Sequence, residues 1–298
     1  MDAVPWLFME RICLCLDHQS LRDGSKMDSI WGEVFSATRK KIHTLTMLAI
    51  EGKLYAAAQP TSSRDFKKAV PLDSVDLKFI TSFSVKQVLI GLVPSIWKEI
   101  TLDDLQKLVR FITPTTEGRH TQSRNHLAIH DYTPTWIAKK LLSMRLPVDS
   151  VKLCIDTKEV QAAAVEFFEN VGSLHIIFFR CSSSFFLRKS TVDAMIDKFV
   201  PVDGGGFHLD SKFCLTRDQL ERLVLKCERS DKKVVLEVKP KGATKHSKLT
   251  DFFDFDKHYS TRKLEEGKLT KLTAIREGAK LKLCVEYRPE SCIRWEWK

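Results

Sequence analysis

His126 and His130 stand four residues apart, the spacing at which two imidazoles on one helix face could share a metal ion. They fall in a loop-and-strand pattern, and no carboxylate base lies between them, so both are expected to be satisfied structural histidines. The eight cysteines, at 13, 15, 154, 181, 214, 227, 284 and 292, contain no CxxC pair and no Cys/His spacing suited to zinc. Most sit inside apolar patterns, which points to reduced, packed thiols. There is no GxSxG elbow, no GxxxxGK[ST] phosphate loop, no GxGxxG after a strand and no HExxH. The residues that could do chemistry are therefore not assembled into any catalytic motif, and a non-catalytic protein with no cofactor and no metal is expected.

The chain of 298 residues is 43% hydrophobic and 29% charged, enough apolar material for a substantial core. Its net charge is +10, which raises nucleic acid or an acidic partner as a class of ligand. Of that excess, +7 lies in Arg229–Lys298, where Lys239, Lys241, Lys245, Lys248 and His246 cluster without an acid. A solvated loop is the expected role of that cluster. The segment Asp251–Asp256 interleaves phenylalanine with aspartate, which disfavours base stacking there and suggests an insertion whose rings pack inward. The longest uncharged apolar run, Gln87–Trp97, has 11 residues, far short of the ~20 needed to cross a bilayer. The greasy segment Pro5–Leu16 is interrupted by Glu10 and Arg11, and is read as part of the fold rather than a leader. Neither Asn125 nor Asn170 begins a glycosylation acceptor, which with the cysteine usage fits the cytoplasm or nucleus.

The elements that must carry any site are set by a recurring unit. Leu105, Leu108, Val109 and Ile112 follow i, i+3, i+4, i+7 spacing, and so do Val160, Ala163, Ala164, Phe167, then Val192, Met195, Ile196, Phe199, then Leu220, Leu223, Val224, Cys227. A weaker copy runs through Ile137, Leu141 and Met144. Thr101, Thr133, Ser190 and Thr216 supply N-cap signals. After most of these helices comes a period-2 run whose inward residues are expected to be Val151, Leu153, Ile155, then Leu174, Ile176, Phe178, then Phe207, Leu209, then Val234, Leu236, Val238. The polar stretch Thr113–Asn125 separates the first helix from Leu127 and Ile129. Strands joined through helices run parallel, and the step of about 29 residues suits an irregular, leucine-rich-repeat-like solenoid of α/β class. A doubly wound α/β sheet is the alternative architecture. In a solenoid the concave surface carries the side chains opposite the helices. These are Lys152, Cys154, His175, Ile177, Phe179, His208, Val235 and Glu237, of which Lys152, His175, Ile177, Phe179, His208 and Val235 are the candidate target-binding residues. Leu281–Tyr287 and Cys292–Trp297 read as two closing strands around Arg288 and Pro289, with Ile293, Trp295 and Trp297 on one side.

The first forty residues differ in composition, and a hairpin over His43–Ile50 and Lys53–Ala58 is expected after them. Measured from Pro5, apolar residues or tryptophan recur at Phe8, Met9, Ile12, Leu16, Leu21 and Trp31, with Asp17 after Leu16. This pattern resembles the F-box, a helical module of about forty residues, and the opening Met-Asp-x-Val-Pro is similar to that of expanded nematode F-box families with leucine-rich-like or F-box-associated repeats. Leu7 stands where the family usually carries an acid, and Cys13 replaces its usual aliphatic residue. The resemblance implies a substrate adaptor of a Skp–cullin–F-box ubiquitin ligase, with Pro5, Phe8, Met9, Ile12, Leu16, Leu21 and Trp31 against a Skp-type subunit and the repeats against an unknown target protein. The residues add one independent argument. The helix over Leu7–Leu16 is apolar around most of its circumference, with only Glu10 and Arg11 for water, and so needs two packing surfaces. The expected organisation is an F-box-like module over 1–40, a β-rich connector over 41–100 and a helix–strand repeat domain over 101–298. The alternative functions are a basic solenoid binding nucleic acid through 229–298, or a scaffold whose amino terminus only caps the array.

Overall fold

A computed structural model describes residues 4–16, 18–61, 63, 65–87, 95–110, 112, 124–181, 187–244, 246–265, 271–288 and 292–298. Asp17, Thr113 and most of the polar stretch after it, Lys245 and Pro289 lie outside the described residues. The protein is of mixed α/β class, and its backbone packing divides it into two units, residues 1–150 and 151–298.

The first unit opens with three helices, α1 (Trp6–Cys15), α2 (His18–Gly24) and α3 (Ile30–Lys41). They enclose a small core of Met9, Cys13, Leu21, Val34, Phe35 and Ile42, with Val4, Leu14, Leu16 and Trp31 packed against its rim. Gly32 makes the approach to α3 possible, because a Cβ there would meet the Met27 carbonyl oxygen at 1.9 Å. The chain then forms the expected hairpin, β1 (His43–Ile50) antiparallel to β2 (Lys53–Pro60). Its two turn residues, Glu51 and Gly52, both have positive φ, 48° and 82°, the twist that matches paired strands. β3 (Ile80–Gln87) runs parallel to β1, β4 (Lys98–Ile100) antiparallel to β2, and β5 (His126–Ile129) parallel to β3. The spatial order is β5-β3-β1-β2-β4. Two helices flank β5 in sequence, α4 (Leu102–Val109) and α5 (Thr135–Ser143). α4 starts at Thr101 through a reciprocal cap with Asp104. On one face of the hairpin Leu48 and Ala57 are covered by Ala69 and Trp97, so β1 is apolar on both faces.

The second unit alternates strand and helix: β6 (Ser150–Ile155), α6 (Lys158–Asn170), β7 (Ile176–Cys181), α7 (Lys189–Lys198), β8 (Gly205–Leu209), the short β9 (Cys214–Leu215), α8 (Arg217–Ser230) and β10 (Val234–Pro240). After them come α9 (Phe255–His258), β11 (Thr261–Glu265), β12 (Lys271–Ile275), β13 (Leu283–Tyr287) and β14 (Ile293–Trp297). Spatial order follows β6-β7-β8-β10-β14-β13-β12-β11. β7, β8 and β10 are parallel, and the last four strands join as antiparallel neighbours. In β8, β10 and β14 burial alternates strictly, so one sheet face is covered and the other is half-exposed. Edge-to-face pairs Phe168–Phe179 and Phe199–Phe207 tie α6 and the end of α7 to the covered face. Trp295 lies fully buried there beneath Phe253 and Phe255, as the aromatic–acidic segment leads one to expect.

β7 departs from the expected register. Leu174 is buried as expected, but the covered side chains of the strand are Ile177, Phe179 and Cys181, while Ile176 and Phe178 point the other way. The chain bends at His175 after Leu174 has paired its backbone with Lys198 and Val200, and this adds one residue to the alternation. Gly205 accommodates the close crossing here, since a Cβ would meet the Val202 and His175 carbonyl oxygens at 2.8 and 3.0 Å.

Candidate functional site

Successive residues of a helix are 100° apart, and α1 uses that rotation to separate two surfaces. Met9, Glu10 and Cys13 face the module's interior. Leu7 and Phe8 are 63% and 54% exposed, and Arg11 and Cys15 continue their side of the helix. Ile12, one turn after Phe8, is half-buried, and Trp6 at the helix start is exposed. Met27, in the link from α2 to α3, and Ile30, the first residue of α3, also stand in solvent. No acidic residue lies in the first turn and no side chain caps it, so little but apolar surface begins this helix.

Of the residues expected to meet a Skp-type subunit, Pro5 and Phe8 are exposed, while Ile12, Leu16 and Trp31 are half-buried. Met9 and Leu21 are corrected to core positions, 1% and 3% exposed, where they hold the three helices together. Trp6 and Leu7 take their place on the surface. Leu7 stands where the F-box pattern departs from its usual acid, the one signal that could have drawn attention to it.

Glu10 also differs from expectation. Its side chain is 7% exposed and pairs with Lys41 Nζ at 3.1 Å and Lys78 Nζ at 3.3 Å. Both lysines also lie over the Phe79 ring, in the 3-10 turn Leu77–Phe79 before β3. Burial by itself raises the Glu10 pKa, but the two lysine hydrogen bonds and their charge prevail and hold the carboxyl below its ordinary value. This cluster fastens α1 to the end of α3 and to the turn that leads into β3.

The half-exposed face of the second unit carries Lys152, Ile176, Phe178, His208, Val235 and Glu237. Lys152, His208 and Val235 thus lie on the sheet face away from the covered side. Ile177 and Phe179 do not: both are fully buried on the helix-covered side, and His175 and Cys154 are buried as well. The signal for β7 was ambiguous because Ile176–Phe179 is apolar at both parities, so period-2 reading cannot choose a face. Phe178 and His208 are stacked at 4.3 Å with planes 4° apart, and Lys152 Nζ lies 5.4 Å from the Phe178 ring centre. His208 Nδ1 is 3.5 Å from Glu237 Oε2.

Other groups with chemical potential are structurally engaged. His126 Nδ1 is 3.0 Å from Ser150 Oγ, and His130 stacks on Tyr132. Six cysteines are buried; Cys15 and Cys214 are exposed. Glu228 accepts hydrogen bonds from Tyr259 Oη and Trp297 Nε1, each at 2.7 Å, and pairs with Arg276. Burial and this carboxylate push the Tyr259 phenol above its ordinary range. A groove of about 720 Å³ between the ends of α4 and α5 has an apolar floor of Val109, Ile112 and Leu146. Its Lys107, Arg110 and Arg145 sit at or just beyond the helix C-termini, where cations complement exposed carbonyls. Among the described residues no group of three His, Cys, Asp or Glu side chains is placed to hold a metal, and no helix is long and apolar enough to cross a membrane.

Comparison with protein families, with curated proteins and with solved structures returns no match.

Proposed function

We propose that the protein is a substrate-recognition adaptor of a Skp–cullin–F-box ubiquitin ligase, with α1 docking on the Skp-type subunit and the second unit receiving the target. The observation that carries this reading is the outer face of α1. A three-helix module that already has its own core still leaves Trp6, Leu7 and Phe8 in solvent. Burying each large apolar side chain is worth roughly 1.5–3 kcal/mol, so such a face favours association. The F-box-like spacing from Pro5 supports a Skp-type subunit as the partner. The order β6-β7-β8-β10, with β7, β8 and β10 parallel, agrees with a repeat array of the leucine-rich type, in which one face is covered by helices and the other presented to a ligand.

The test is co-purification of the full chain with a Skp-type subunit, comparing wild type with Leu7→Asp/Phe8→Asp. Both residues are surface side chains, so the variant is expected to keep its melting temperature and lose the subunit. Undiminished recovery by the folded variant would remove the role assigned to α1.

A further inference from the structure

The half-exposed face of β6, β7, β8 and β10 is asymmetric in charge. Within the strands Lys152, Arg180 and Lys239 lie on it with one acid, Glu237, which is already 3.5 Å from His208; just past β8, Asp210 donates its N–H to the Phe179 carbonyl, and its own carboxylate accepts from the Lys212 N–H at 3.1 Å. Among the described residues no carboxylate pairs with Arg180 or Lys239. Past β10 the pattern changes. Glu286 pairs with Arg288, and Glu296 with Lys298 and Arg294, so the charges of β13 and β14 neutralise one another. On the parallel strands β7 and β10, by contrast, Arg180 and Lys239 have no such acid partner among the described residues.

Within that patch the apolar side chains are arranged in a row. Ile176 pairs across the sheet with Gly206, and Gly206 with Val235. The glycine leaves the position between two half-buried aliphatic side chains empty, a shallow notch for an apolar side chain of a ligand. The neighbouring row is Phe178, His208, Glu237. One side of the Phe178 ring is taken by the parallel His208 imidazole, and Lys152 Nζ also lies near the ring. Stacked in this way, the rings make a poor platform for nucleobases, which need an uncovered aromatic face. Cations around an apolar notch instead match a polypeptide that alternates acidic and apolar side chains.

We infer that this face binds an acidic, apolar-anchored polypeptide segment, with Lys152, Arg180 and Lys239 meeting its carboxylates and the notch at Gly206 taking an aliphatic side chain. This names the chemistry of the target and so rests on the adaptor reading for its biological role.

The probe is a fluorescein-labelled decapeptide of alternating glutamate and leucine, titrated with the full chain by fluorescence anisotropy. An oligothymidylate of similar charge serves as the nucleic-acid comparison. The variant Lys152→Glu/Arg180→Glu/Lys239→Glu is expected to weaken peptide binding at least about tenfold. A control with the same change in net charge, Lys158→Glu/Lys189→Glu/Arg217→Glu, alters exposed helix-side residues near helix N-termini, where glutamate is tolerated. It is expected to bind within about twofold of wild type. The milder Lys152→Gln/Lys239→Gln, with an unchanged melting temperature, should show an intermediate loss and guards against misfolding of the triple reversal. Equal losses in the two triple variants, absence of peptide binding by wild type, or tighter binding of oligothymidylate through the same three residues would each overturn the assignment. Leu7→Asp/Phe8→Asp should leave peptide binding intact, and the triple reversal should leave the Skp-type subunit bound, so failure of either proposal is seen separately.

Discussion

At the scale of single residues, the departures from expectation are buried polar groups. Glu10 reads as a solvent-facing residue because it adjoins Arg11 on a greasy helix, yet its partners Lys41 and Lys78 are 31 and 68 positions away. No local periodicity encodes such a pairing. Replacing Glu10 by alanine removes charge-assisted hydrogen bonds and strands two half-exposed lysines, with an expected cost of about 1–3 kcal/mol in denaturant unfolding. Because the folded carboxyl titrates below its ordinary value of 4.5, its stabilisation is full above that value and lost as pH falls through the lower folded value. The stability gap between wild type and Glu10→Gln should accordingly shrink on acidification below about pH 4.5 and be constant near neutrality. Glu228 is a second case. Its substitution by alanine leaves the indole of Trp297 and the phenol of Tyr259 without their acceptor, and a loss of about 2–4 kcal/mol is expected by the same measurement. Glu228→Gln, which keeps an acceptor oxygen, should cost less.

At the scale of elements, helical periodicity was the readable signal. All five spaced segments are helices, and the caps at Thr101 and Thr216 are reciprocal boxes with Asp104 and Gln219. Thr216→Ala is expected to cost about 1 kcal/mol, read as a lowered unfolding midpoint with unchanged slope. Ser190 misled by two residues: α7 begins at Lys189 with Arg188 at its cap, so the serine lies inside the helix. Strand faces were legible where polar residues alternate, as in β10, and ambiguous where they do not, as in β7. The exposed face of α1 was legible only in part. Composition shows that the helix carries more apolar surface than one core can use, but which residues go in depends on how α3 packs. Met9 and Cys13 go in; Leu7 and Phe8 stay out.

At the scale of the molecule, both units use a mixed or parallel sheet, and each leaves a different surface available. The first presents the apolar start of α1, held to α3 and to the turn before β3 through Glu10, Lys41 and Lys78. The second presents a cationic, aliphatic sheet face opposite its helices. Alternation of helix and strand in the sequence implied parallel strands, and β7, β8 and β10 have them. The antiparallel end of the second unit was visible as two closing strands. Its other two, β11 and β12, were not anticipated, because β11 carries one apolar residue, the exposed Leu264, and the alternation of β12 is only four residues long before the exposed Ile275. The account turns on α1 as a docking helix. The direct measurement is calorimetric titration of the purified full chain with a purified Skp-type subunit. Saturable one-to-one binding is expected, weakened about 10²–10⁴-fold by Leu7→Asp/Phe8→Asp in proportion to two buried apolar side chains, with the melting temperature unchanged. No heat of binding from the wild-type protein, or equal affinity of the folded variant, would contradict it.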